Sequence, residues 1–130
     1  MSRLEEIEAL ARTVVDCGYH LHREIGPGLL ESVYQKIMIA SIRERGLQVA
    51  SEVAVPIRYK GVVIDNAFKA DLIIENKLLI ELKSTERTSS VHAKQVLTYL
   101  RLLKMPLGLL MNFSQSTFKG GLQRIVNDHR

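Results

Sequence analysis

Tryptophan is absent from this chain, and only three phenylalanines and four tyrosines stand in for it. There is one cysteine, Cys17, so no internal disulfide can form. Stability must come from burial and hydrogen bonding, and a reducing cytoplasm is the expected location. Cys17 falls in a helical pattern and reads as a small core residue. Prolines number three, and no apolar run approaches the ~20 residues that a membrane helix needs, so no membrane role is expected. No low-complexity tract, internal repeat or linker is evident, and residues 1–130 read as a single domain. The opening MSRLEEIEAL is acidic and amphipathic, and is expected to be neither a secretory signal nor an Arg-rich transit peptide.

What is present is the composition of a globular domain: 46% hydrophobic and 25% charged residues in 130. That is enough chain to bury one real core. The net charge of +4 is mildly basic. It suits a polyanionic partner, but ordinary soluble proteins are often as basic.

Leu4, Ile7, Ala11, Val14, Gly18, Leu21 and Ile25 step by three and four, predicting a helix that ends at Gly26-Pro27-Gly28. A second helix is predicted with Leu30, Val33, Tyr34, Ile37, Met38 and Ile42 on its buried side, stopping at Gly46. From Val49 the period changes to two. A strand carrying Val53, Val55 and Ile57 on one face is followed by VVIDNAFKADLII and LLIELKS as further strands. Pro56 predicts that the first strand is an edge or carries a bulge. Ser89 or Ser90 can cap a third helix reaching about Lys104, with Val96, Leu97, Leu100 and Leu103 as its core stripe. LGLLMNF reads as a short buried strand. LQRIVN reads as a final strand, with a short helix as the alternative. The order is helix, helix, three strands, helix, two strands, which implies a mixed sheet with helices packed on it.

Charged residues interrupt the most buried-looking stretch, KADLIIENKLLIELKSTE. Glu81 and Lys83 are two apart and share a strand face with Leu79. If Asp71 lies across from Glu81 in an antiparallel hairpin, Ile73 opposes Leu79 and Ile74 opposes Leu78. Glu75-Asn76-Lys77 is then a three-residue connection, and Asn76 tolerates the left-handed backbone this often requires. A two-residue loop would turn the acids to opposite faces. Facing carboxylates repel unless something cationic sits between them, either Lys83 or a divalent metal. The contrasting reading is a surface hairpin whose charges pair locally. His92, Gln95 and Tyr99 share one stripe of the third helix. Either that stripe looks back at the acids, with Gln95 holding a water or a phosphate oxygen, or it is merely solvated.

Several other features are unpromising. His20 and His22 lie about 200° apart around a helix and cannot share a metal. His129 belongs to a terminal tail. HREIGPG lacks the spacing of a phosphate loop, and Ser84, Ser89 and Ser90 have no catalytic partners at persuasive intervals. Lys60, Lys69, Arg87, Lys94 and Lys119 either form a surface for a phosphate backbone or are simply solvated.

The pattern AD…ELK…Q…Y (Asp71, Glu81-Leu82-Lys83, Gln95 and Tyr99) resembles the PD-(D/E)xK nuclease superfamily. GLLESVY, with Gly28, Glu31 and Tyr34, looks like the signature of the GxxExxY proteins, a small branch of it. HREIGPGLLESVYQ, HAKQVLTYLRLLKMPLGLLMNF and GGLQRIV extend the likeness over roughly Val14 to Val126. Ala70 stands where many members have proline. The resemblance implies an α/β (α+β) restriction-endonuclease-like core, a mixed sheet with an antiparallel meander flanked by helices. It further implies a metal-dependent nuclease hydrolysing nucleic-acid phosphodiesters, with Mg²⁺ or Mn²⁺ as cofactor. Asp71 and Glu81 would be metal ligands, with Glu31 as an additional acid. Lys83 would be the catalytic lysine, and Gln95 and Tyr99 the accessory helix motif. The expected partner is DNA or RNA. The alternative is a catalytically inactive module of the same fold binding nucleic acid or a protein, and a helix-mediated homodimer is a third reading.

Overall fold

The computed structural model describes residues 1–87 and 89–128; His129 lies outside the described residues. Helix α1 spans Arg3–Ile25 and α2 spans Glu31–Glu44. Strands β1 (Val49–Tyr59), β2 (Val62–Ile74) and β3 (Leu78–Lys83) form a meander. Helix α3 (Ser90–Leu103) crosses over to β4 (Leu107–Asn112), and the short α4 (Phe118–Gly121) leads into β5 (Leu122–Val126). The five strands lie side by side in the order of the sequence. All neighbours are antiparallel except β3 and β4, which the α3 crossover makes parallel.

The helix ends follow from local chemistry. Ser2 accepts from the Glu5 amide, Glu5 and Glu6 occupy the first turn of α1, and His22 and Arg23 the last. Glu5, Glu6 and Arg23 therefore stand at the ends of the helix dipole that favour their charges. Ser89 is the cap of α3 and accepts from the Val91 amide at 3.1 Å, a bond whose loss costs about 1 kcal/mol in such positions.

Alternation sorts the sheet into two cores. Leu72, Ile74, Leu78, Ile80, Leu82, Leu109 and Met111 face α1 and α2 and pack with Val14, Leu21, Tyr34, Met38 and Ile42. Ile73, Leu79, Leu110 and Ile125 face the other way, against Val96, Tyr99 and Leu100 of α3. The helical stripes overreach at their ends. Leu4 is 65% exposed and Ile25 54%. A 23-residue helix is about 34 Å long and overhangs strands of five or six residues, which reach about 20 Å. On α2, Leu30 and Val33 are also exposed. The buried row there is Tyr34, Met38 and Ile42, four apart. On α3, Tyr99 is buried, whereas Leu97 and Leu103 are half-buried.

Pro56 accounts for two features at once. β1 is an edge strand, and its register shifts between Val55 and Ile57, so that Pro56 alone faces residues 65–67 of β2. The missing amide donor is tolerated at such a place. LQRIV is the strand β5, and no helix forms there; the short α4 precedes it and ends at Gly121.

Candidate active site

The β2–β3 turn determines where the acids point. Ile73 pairs with Leu79 and Ile74 with Leu78, leaving Glu75-Asn76-Lys77 as the connection. Both Glu75 (φ 51°) and Asn76 (φ 57°) take the left-handed conformation. The same index sum sets Asp71 opposite Glu81, but the backbone ladder stops at Leu72–Ile80. Side chains replace it from there. The Asp71 amide donates to Glu81 Oε1 at 2.8 Å, and the Leu82 amide donates to Asp71 Oδ2 at 2.8 Å. Each carboxyl is thus held by the neighbouring strand's backbone.

The β1 side is interrupted at the same level. Ser51 pairs with Leu72 and Val53 with Ala70, with no pair between Glu52 and Asp71. Glu52 has a left-handed φ of 50°. Asp71 therefore sits where β2 breaks from both neighbours, while β3 continues along β4 to Lys83–Asn112.

Burial dominates the electrostatics. Glu81 is 3% exposed, and desolvation, followed by the Asp71 charge, pushes its carboxyl up to about 8. Burial also raises Asp71, against the pull of backbone and side-chain hydrogen bonds and of Lys83. The bond between the two carboxyls opposes the rise of Asp71 and adds to that of Glu81. Glu31, on the first turn of α2, is raised by burial, lowered by Lys83 and raised again by Asp71 and Glu52. Lys83 thus acts on all three acids. From α3, the buried Tyr99 is pushed up to about 12, first by burial and then by Glu81 and Asp71; a hydrogen bond from Gln95 opposes the shift. Its phenol stays neutral at any working pH.

Asp71 and Glu81 thus meet at the break in the sheet, and charge effects link them to Lys83 on β3, Glu31 on α2 and Tyr99 on α3, with Gln95 bonded to Tyr99. The third residue of the polar stripe, His92, has a buried Nδ1 with no hydrogen-bond partner. Two neighbours escaped the sequence reading. Glu52 lies in a stretch that reads as a strand, and nothing local signals its left-handed backbone. Gln35 stands one turn after Glu31, a spacing that could have flagged it. Its amide reaches both Glu52 Oε1 and the Asp71 carbonyl at 3.4 Å.

Gly28 and Tyr34 shape the turn that carries Glu31. Gly28 has φ 116°, a conformation closed to other residues without strain. Tyr34 is fully buried, and its hydroxyl donates to the Gly26 carbonyl at 2.6 Å. The histidines do other work. His22 Nε2 lies 2.7 Å from the Gln115 carbonyl, and His20 meets Asp16 at 3.4 Å. Three surface cavities of about 510, 310 and 510 Å³ are lined by none of Glu31, Asp71, Glu81 and Lys83, so the acids lie outside them.

Two adjacent carboxyls, one buried and one half-buried, offer the hard oxygen donors that a divalent cation takes. Without one, a proton on Glu81 relieves the repulsion. Among the described residues, no set of three or more His, Cys, Asp and Glu side chains is gathered to hold a metal.

A five-stranded mixed sheet between helices, with an Asp-Glu pair and a lysine at the splayed ends of two strands, defines a nuclease-type α+β fold. A family model of the PD-(D/E)XK nuclease superfamily matches residues 8–125, and the chain belongs to that superfamily. Such nucleases generally depend on divalent metals and act on nucleic acid. No curated protein and no solved structure matches the chain significantly. No helix of the described residues is long and apolar enough to cross a membrane.

Proposed function

We propose that this chain is a divalent-metal-dependent nuclease of the GxxExxY branch, hydrolysing phosphodiester bonds of DNA or RNA. The observation that carries the reading is the reciprocal bonding of Asp71 and Glu81 across the ladder break. It holds the buried Glu81 and the half-buried Asp71 together two residues before Lys83 on β3. Asp71 and Glu81 would hold Mg²⁺ or Mn²⁺, with Glu31 as an additional acid. An ion held there supplies Lewis-acid polarisation of the scissile phosphate and a more acidic water.

The chain's own residues do the rest. Lys83, two residues beyond Glu81 on the same face, orients the attacking water and offsets charge developing on the phosphate. Glu31 draws on the Lys83 charge from the α2 side. Gln95 and Tyr99 form the α3 wall, with the neutral phenol donating rather than carrying charge. Exposed Arg87, Lys94 and Lys69 lie close in sequence to Lys83, Gln95 and Asp71, and supply cations for the polynucleotide backbone.

Purified protein with Mn²⁺ is expected to cut DNA or RNA, and Glu81→Ala or Lys83→Ala to abolish cutting while the far-UV circular dichroism stays unchanged. Failure of the wild type to cut single- or double-stranded DNA or RNA overturns the catalytic reading. It leaves the alternative, a nuclease-fold module that binds without cleaving.

A further inference from the structure

A ring of contacts closes around the place where β3 ends and α2 begins. Ser84, the residue after Lys83, donates its hydroxyl to the Leu29 carbonyl at 2.8 Å. The Leu29 amide donates to the Tyr34 hydroxyl at 3.2 Å, and that hydroxyl donates to the Gly26 carbonyl at 2.6 Å. The Tyr34 ring stacks on Phe113, centroids 4.5 Å apart and planes 8° from parallel. The Phe113 amide donates to the Lys83 carbonyl at 2.9 Å, completing the circuit.

Glu31 stands within this ring, three residues before Tyr34. The turn leading to it has little support of its own. Gly26 and Gly28 flank a proline that offers no amide, and Leu30, the cap of α2, makes no side-chain bond. A phenylalanine at position 34 would keep the stack on Phe113. What the hydroxyl adds is a pair of bonds to the backbone of residues 26–29, one accepted and one donated.

We propose that Tyr34 and Ser84 are positioning residues: together they hold the Glu31 turn of α2 in register with the Lys83 end of β3. The functional half of this rests on the reading that Glu31 and Lys83 serve one site. The structural half stands on the hydrogen bonds alone. Loss of either hydroxyl leaves the two cores intact and frees the turn to drift from the strand end.

The test compares Tyr34→Phe, Ser84→Ala and the rescue variant Ser84→Thr with the wild-type chain, using amide hydrogen exchange and Mn²⁺-supported cleavage. Tyr34→Phe and Ser84→Ala are expected to speed exchange of the Leu29, Val33 and Tyr34 amides about tenfold, while Leu79–Leu82 within β3 stay protected. The kcat is expected to fall about tenfold with KM unchanged, and Ser84→Thr to recover most of it. Unchanged exchange at those three amides overturns the proposal, as does an equal rise throughout β3 and α2. Wild-type protein that does not cleave sinks the nuclease reading, and exchange alone then decides whether the clamp exists. If the wild type cleaves and Glu31→Gln cleaves equally well, the clamp has no catalytic role and that half is overturned.

Discussion

Glu81 is a carboxyl buried to 3% exposure that keeps its proton up to about pH 8, against 4.5 in an open chain. Between those values the folded protein binds more protons than the unfolded one, so its stability falls as pH rises. In metal-free buffer, urea unfolding is expected to show wild-type stability declining from pH 5 to pH 8. Glu81→Gln keeps the size and a hydrogen-bond donor but cannot ionise. It should flatten that decline and exceed the wild type at pH 8 by about 1–3 kcal/mol. A wild-type profile that rises over the same interval would contradict the protonated pair.

The elements reach the site through their irregularities. β2 is regular where it packs on α3 and the paired helices, and broken at Asp71, where Glu52 on one side and Glu81 on the other leave the ladder. The far end of the sheet contributes too. α4 presses on the end of β4: a side chain at Gly121 would bring its Cβ within 2.0 Å of the Asn112 carbonyl oxygen. Asn112 pairs with Lys83, and its side chain bonds both the amide and the carbonyl of Thr85. Gly121→Ala is therefore expected to cost about 1–3 kcal/mol, read as a lower melting temperature. The strain falls on the stretch that supports the lysine, so cleavage should drop further than the folded fraction does. An unaltered melting temperature would show that α4 can move aside.

At the scale of the whole molecule, a cation bound only by the folded state must raise stability by mass action. Thermal melts in millimolar Mn²⁺ are expected to shift the wild type upward by several degrees, and more at pH 8 than at pH 5, where protons compete for the carboxyls. Asp71→Ala should abolish the shift. A shift that survives that substitution places the ion elsewhere. No shift at all favours the non-cleaving module over the nuclease.

Periodicity was enough for the order of the main elements apart from α4, proline chemistry for an edge or a bulge at Pro56, and turn chemistry for a three-residue connection as one of two ways to place Asp71 and Glu81, because each depends on neighbours within a few residues. Gln95 and Tyr99 were legible as one helix stripe, and Glu31 only through the likeness of GLLESVY to a known family. What the tertiary structure decided is less local. The left-handed Glu52 and the two-sided ladder break at Asp71 arise from strands meeting across the sheet. The circuit through Ser84, Leu29, Tyr34 and Phe113 joins residues up to 84 positions apart in numbering from different layers. Backbone spacing reports which face a side chain takes; only packing between layers determines what it meets there, and burial at that meeting point is what sets the charge of the acids.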